Sequence, residues 1–251
     1  MWFSDFTRFQ EKLLDDNELN RSYYEEAVKC LQIGHDMLVG DFWATPNREG
    51  WKTVQRSKDT GDIVYSKKHP ELGRIYCLEA KIECLNFTIE DVYHELIYKF
   101  TEGPSWNPDL AENKKLLDIG LQTDLTYSAS DEILGGVIKP RDFVDVRCWR
   151  EYDSGYWIGT RSVEYSEMAP VKGRIRAQNI FRLLHLTTIP DSNTIRYTLI
   201  NRMDLKGDVP KPMLEKAMQH VLLNHSKRLR RRMTAISSPP TDAPTDTSNN
   251  K

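Results

Sequence analysis

Phe143, Asp145, Arg147 and Trp149 alternate along one extended run and put an acid and a base between two aromatic rings on the same face. The opposite face, Val144, Val146 and Cys148, is plain apolar packing. If the first face lined solvent, two large rings would be exposed. If it lined a dry core, Arg147 would be a buried charge in need of a partner. A mostly apolar cavity with a few polar anchors reconciles both. The alternative is an ordinary edge strand with an acid and a base two residues apart. The chemistry implied by the cavity is recognition of a ligand with an apolar body and a polar end.

Other residue types give no support for bond-making chemistry. His35, His69, His94, His185, His220 and His225 show no metal-ligand spacing, and His220 and His225, five apart, fall on different helix faces. There is no Gly-x-Ser-x-Gly and no phosphate-binding glycine loop. Asp131-Glu132 reads as a solvated pair before the turn at Gly135-Gly136. The expectation is a protein that is not an enzyme and uses neither metal nor organic cofactor. The basic run Lys227 to Arg232 has three readings. It can complement the dipole of a helix end. Lys227, Arg228 and Arg230 can contact a membrane, worth about 1 kcal/mol each near an anionic surface. A nucleic-acid signal is the weakest reading, because the whole chain has a net charge of -2 and a pI of about 6.3. No nucleic-acid partner is expected.

Several elements must hold these residues. Ser22 with Glu25 forms a capping-box pattern, and Ala27, Leu31, Met37 and Leu38 follow at helical spacing to near Gly40. Strands are predicted at 51–56, 63–68 and 74–83, separated by turn residues that favour an antiparallel meander. Thr88 with Asp91 caps a second helix whose face is Ile89, Val92, Tyr93, Leu96, Ile97 and Phe100. Further strands are predicted at 114–119, 123–130, 143–149, 156–165, 174–188 and 195–203. From Leu214 an apolar stripe through Ala217, Met218, Val221, Leu222, His225 and Leu229 marks a last helix of about four turns. One long antiparallel sheet with a late helix across it is an α+β architecture.

The 251 residues, 39% hydrophobic and 29% charged, suit a globular protein with a sizeable core. No run approaches the ~20 apolar residues of a membrane span. Met1 to Arg8 lacks the pattern of a signal peptide, and the acids that follow argue against a mitochondrial presequence. Cys30, Cys77, Cys84 and Cys148 form no Cys-x-x-Cys pair and read as reduced core residues. The expected organisation is an amino-terminal extension over 1–20, a domain over 21–233, and a disordered Ser/Thr/Pro-rich tail over 234–251. A cytoplasmic protein, peripheral and transient at membranes, is expected.

The chain resembles the START domain, a lipid-transfer family. The resemblance is carried by Ser105-Trp-Asn107, Gly136-Val-Ile-Lys-Pro-Arg-Asp-Phe-Val-Asp-Val-Arg-Cys148, Gly173-Arg-Ile-Arg-Ala177, Asp204-Leu-Lys-Gly207 and Val209-Pro-Lys211. It implies a helix-grip fold: a curved antiparallel sheet, an incomplete barrel, gripping a long carboxy-terminal helix over a lipid tunnel. It implies a monomer that binds a single lipid, a sterol such as cholesterol first. The alternatives are a phospholipid or other acidic lipid, or a lipid-sensing adaptor that transfers nothing.

By the same resemblance Arg147 matches the buried arginine of sterol-binding members, which pairs with a carboxylate on the preceding strand. Here Ser128 stands at the position of that acid. Ile180-Phe181 replaces a Gly-Pro, and Arg182 replaces a small residue. Three outcomes stay open. Asp145 neutralises Arg147, the ligand supplies the negative charge, or Arg182 points to water. The expected lipid-contacting set is Arg147, Ser128, Asp145, Arg182 and Trp149.

Overall fold

The structure is a computed structural model that describes residues 11–44, 48–153 and 155–238. Asn17 opens the first helix, α1 (Glu18–Met37), its side chain accepting from the Asn20 backbone N–H. The helix therefore starts a turn before the Ser22 box, which lies inside it. It ends in a π-helical turn, Leu38–Phe42. The segment before it is tied to the domain rather than loose. Leu13 bridges Gly120, and the Glu11 carboxylate bonds Thr123 Oγ1 at 2.8 Å and Arg150 at 3.1 Å. The part of the expected extension that precedes Glu11 lies outside the described residues.

Three strands follow, β1 (Lys52–Arg56), β2 (Ile63–His69) and β3 (Gly73–Glu83), as the meander predicts. Helix α2 (Ile89–Ile97) carries the Thr88/Asp91 capping box complete. A short helix α3 (Gly103–Trp106) leads to β4 (Leu110–Asp118), β5 (Thr123–Ser130), β6 (Arg141–Tyr152) and β7 (Gly155–Ser162). The run predicted as one strand over 174–188 is two: β8 (Ile175–Arg176), parallel to β6, and β9 (Gln178–Thr188). Last come β10 (Thr194–Asp204) and α4 (Lys211–Ser237). Helix α4 has 27 residues and continues past Met233, so the predicted boundary at 234 falls inside it. The rest of the expected tail, from 239, lies outside the described residues.

The sheet runs β1-β2-β3-β10-β9-β7-β6-β5-β4, antiparallel along this path and unclosed between β1 and β4. Helix α1 packs on its outer face. The approach is close because two glycines meet apolar side chains there. A Cβ on Gly34 would lie 2.5 Å from Leu183 Cβ, and one on Gly159 would lie 2.9 Å from Leu31 Cγ. Ala27, Cys30, Leu31, Val144, Val146, Cys148 and Leu183 form the core on this side. All four cysteines are free and buried, and burial pushes the Cys30 thiol up to about 12 and Cys148 to about 11. Helices α2 and α4 cover the inner face around Leu78, Ile82, Val92, Tyr197, Leu222 and Leu229.

Candidate functional site

Between the inner face and α4 lies a cavity of ≈ 220 Å³. Phe143, Ile158, Leu184 and Leu199 give the sheet side an apolar lining. Met218, Val221, Leu222 and His225 line it from α4, and Leu96, Ile97, Phe100 and Trp106 from the α2–α3 end. The alternation read at Phe143 to Arg147 therefore points where the sequence places it, into a mostly apolar cavity, while Val144, Val146 and Cys148 pack outward.

A row of polar residues crosses the sheet. Strand register sets Asp124 opposite Arg147, Arg147 opposite Thr160, Thr160 opposite Arg182, and Arg182 opposite Asn201. At one end the charges close on each other. Arg147 donates from Nε to Asp124 Oδ1 at 2.8 Å and from a terminal nitrogen to Oδ2 at 2.5 Å. Its remaining donors face the carbonyls of Leu96 and Ile97 at 3.5 and 3.4 Å, and its guanidinium lies 4.2 Å from the Phe100 ring centroid. Both partners are buried. The acid expected to be missing is thus present, displaced four residues along β5 from Ser128, which keeps it on the same strand face. Ser128 itself lines the cavity opposite Phe143 and takes no part in the ion pair.

Asp145 does not neutralise Arg147. Its carboxylate accepts from Ser162 Oγ at 2.6 Å and from Asn179 Nδ2 at 2.8 Å. Burial raises its carboxyl above the usual range, and these two bonds and the fields of Arg182 and Arg147 only moderate the rise.

Arg182 reaches the cavity on the same strand face as Leu184, and a β-bulge brings Asn179 there as well. Asn179 and Arg182 are three apart and would sit on opposite faces of a regular strand, yet both line the cavity. The β9–β10 register shifts between Arg202 and Met203, so that Phe181 and Asn179 pair with consecutive residues of β10. The bulge falls at Ile180-Phe181, where the resemblance expects Gly-Pro. Among the described residues no carboxylate forms an ion pair with Arg182. Around it Asn179 Oδ1, Asn201 Oδ1 and His225 Nε2 are buried without a hydrogen-bond partner among the described residues, and the Tyr197 hydroxyl lies beside Arg182. Burial pushes the Tyr197 hydroxyl up to about 12 and holds His225 down at about 3, so both are neutral at physiological pH.

Two expected assignments change. Trp149 is buried in the inner core against Tyr98 and is not part of the cavity lining. The basic end of α4, expected to contact a membrane, forms ion pairs with acids of the domain. Lys227 pairs with Asp59 at 2.9 Å, Arg228 with Asp109 at 2.5 Å and Arg230 with Asp62 at 2.5 Å. Arg232 adds Glu95 and Glu102. These pairs fasten the carboxy-terminal half of α4 across the mouth of the sheet.

The residues that carry the resemblance do the same kind of work. Arg141 donates to the carbonyls of Leu205, Lys139 and Lys206, which joins Pro140-Arg141-Asp142 to Asp204-Leu-Lys206. Asp142 takes a two-pronged contact from Arg176 at 3.1 Å. Asn107 accepts from Arg228 at 2.6 Å. The functional residues missed in the sequence are Asp124, Asn179, Tyr197, Asn201 and His225. Parity with Ser128 along β5 is the signal that could have found Asp124. The bulge hides Asn179.

Comparison with known proteins agrees with this architecture. The START domain family model matches residues 44–237. The steroidogenic acute regulatory protein of Xenopus laevis is 31% identical over 233 residues, 92% of this chain and 77% of that one. The mitochondrial steroidogenic acute regulatory protein of Equus caballus is 29% identical over 240 residues, 95% of this chain and 82% of its own length. Among solved structures, human StAR-related lipid transfer protein 5 superposes with a TM-score of 0.73 at 17% identity, covering 86% of this chain and 99% of that one. Human STARD10 gives 0.63 at 18% identity, over 90% and 82%. Lipid binding and transfer are the activity these relatives support. With a long helix gripped over a curved sheet, a mostly apolar cavity between them, and a family model that spans most of the sequence, the chain belongs to the START domain family.

Proposed function

We propose that the protein takes one lipid at a time into the cavity under α4 and moves it between membranes, with a sterol as the cargo class the relatives favour. The observation that carries this is the mostly apolar cavity with buried polar groups at its floor. Burial of the lipid's apolar surface supplies most of the binding energy, at about 25 cal/mol per Å². The protein acts as a monomer in the cytoplasm and meets membranes transiently. No described helix is long and apolar enough to cross one. The docking edge is the amino-terminal end of α4 with the loop 131–140. Val137 is 51% exposed and Met213 41% exposed, and Lys139, Lys206 and Lys211 are exposed nearby in sequence. Among the described residues only Glu215, paired with Arg74 at 3.2 Å, ties this half of α4 by charge.

The test is incubation of the full chain with vesicles of mixed natural lipids, re-isolation, and native mass spectrometry before and after exposure to lipid-poor acceptor vesicles. A one-to-one lipid adduct that empties into the acceptors is the expected result. The absence of an adduct removes the lipid-binding reading; an adduct that stays bound removes transfer and leaves a sensor.

A further inference from the structure

We infer that Arg182 is the anchor for the polar end of the cargo, and that this end carries an oxyanion: a carboxylate, a sulfate or a phosphate. The inference rests on the reading of the cavity as a lipid site and narrows its ligand. The two arginines of the polar row are in opposite states. Arg147 spends its donors on Asp124 and on the carbonyls of Leu96 and Ile97. Arg182, two strands and therefore about 10 Å away across the sheet, has no ion pair among the described residues.

The charges on the sheet side of the cavity do not balance. Arg141, Arg147 and Arg182 set three positive charges against the two of Asp124 and Asp145. Glu95 does not close the gap, because it is paired with Arg232. Arg141 is held by backbone carbonyls, which leaves Arg182, beside the Tyr197 hydroxyl, as the guanidinium facing the cavity without an ionic partner among the described residues. Asp145 stands within the field of Arg182, but its oxygens are taken by Ser162 and Asn179. A neutral hydroxyl would fill one hydrogen-bonding position and leave the half-buried guanidinium without a counter-charge. A planar or tetrahedral oxyanion meets the fork of the guanidinium with two parallel bonds.

The surroundings fit a head group of that size. Thr160 and Asn201 flank Arg182 in register on the neighbouring strands. Tyr197 Oη supplies a hydroxyl, and the free Oδ1 atoms of Asn179 and Asn201 accept from any hydroxyl the head group carries. The bulge at Ile180-Phe181 is what turns Asn179 inward beside Arg182, so the surroundings of this anchor are built by the backbone as well as by side chains.

The experiment is a binding comparison on the full chain with matched probes: cholesterol against cholesterol sulfate, oleyl alcohol against oleate, and monooleoylglycerol against oleoyl lysophosphatidic acid. Affinity is read by native mass spectrometry and by competition with a fluorescent fatty acid. The expected result is that the charged member of at least one pair binds about tenfold tighter or more. Arg182→Met should abolish that preference, and Arg182→Lys should keep only part of it. The pair that shows the preference identifies the body of the lipid. Equal binding of neutral and charged members in the wild-type protein overturns the inference and leaves the lipid site standing. A preference that survives in Arg182→Met overturns it as well. Binding of neither member in any pair overturns both readings. The wild-type comparison decides the matter by itself if the variants do not fold.

Discussion

The same strands present two different surfaces. Beneath α1 the outer face is apolar and tight: Leu31, Leu183, Val144 and Val146 are almost fully buried, and glycines at 34 and 159 let helix and sheet approach. Beneath α4 the inner face carries three arginines, two aspartates and several polar atoms that find no partner among the described residues. Alternation along a strand lets one sequence serve both, because neighbouring residues answer to different surroundings. The outer patch is packed for stability. The inner row holds unspent hydrogen-bonding capacity that a folded chain alone does not need.

The sharpest way to separate the two faces is a matched pair of alanine substitutions. Asp124→Ala leaves Arg147 buried without its acid and should cost about 3–5 kcal/mol of unfolding free energy. Leu31→Ala, on the outer face, should cost about 3 kcal/mol through lost burial and a residual cavity. Urea unfolding measures both. The comparison is broken if the ranking inverts, because an Asp124→Ala protein of near wild-type stability would mean that Arg147 readily reaches water. The double variant Asp124→Leu/Arg147→Met should recover most of the loss, since replacing a whole buried pair by apolar groups is often neutral or better.

The two faces also hold one enclosed histidine each, and pH tests them together. His185 lies against Trp157 on the outer side, ring centroids 3.9 Å apart, and His225 faces the cavity near Tyr197. Burial holds both at about 3, against an ordinary value of 6.5. The fold keeps them neutral while the unfolded chain protonates them. Their contribution is therefore complete above the ordinary histidine value and is lost as pH falls. By about pH 5.5 each should have cost about 1.4 kcal/mol. Asp145 acts with the opposite sign in a lower window: its raised carboxyl favours the fold below about pH 4, and that advantage is lost as pH rises through its folded value. His225→Gln and His185→Gln should each flatten the slope between about pH 7.5 and 5.5 by one proton. Ligand binding should moderate only the His225 part.

What could be read in advance follows from this division. Helical stripes, capping residues and turn glycines depend on neighbours in sequence, so the Thr88/Asp91 box and the turn at Gly135-Gly136 were legible. The long motifs around Arg141, Asp142, Arg176 and Asn107 were legible as a family signature, and the structure shows them stapling loops to strands and to α4. They announce the fold and leave the cargo open. The site depends on which residues stand opposite one another across strands. Asp124 falls inside the strand predicted at 123–130, and only register places it against Arg147. Arg182 was open between the cavity and water because arginine is usually exposed, and Asn179 was hidden because the bulge reverses its face. The basic end of α4 looked exposed because its partners, Asp59, Asp62 and Asp109, are far away in sequence.

The smallest expected effect on stability tests the division most directly. If Arg182 is kept for a ligand, the empty protein gains nothing from its charge and bears the cost of partly desolvating it. Arg182→Met, of similar length and apolar, should therefore leave the unfolding free energy of the empty protein unchanged or raise it by about 1 kcal/mol. The same change in a residue that serves the fold would lower it, as Asp124→Ala does. Stability should be measured on delipidated protein, because a bound cargo would stabilise the wild type selectively and mask the gain. A loss of 2 kcal/mol or more, on the order of a broken buried network, would mean that Arg182 holds the sheet together through the Asp145 side of the cavity. A neutral or stabilising result, alongside loss of preference for charged lipids, would identify a position where stability has been given up for cargo recognition.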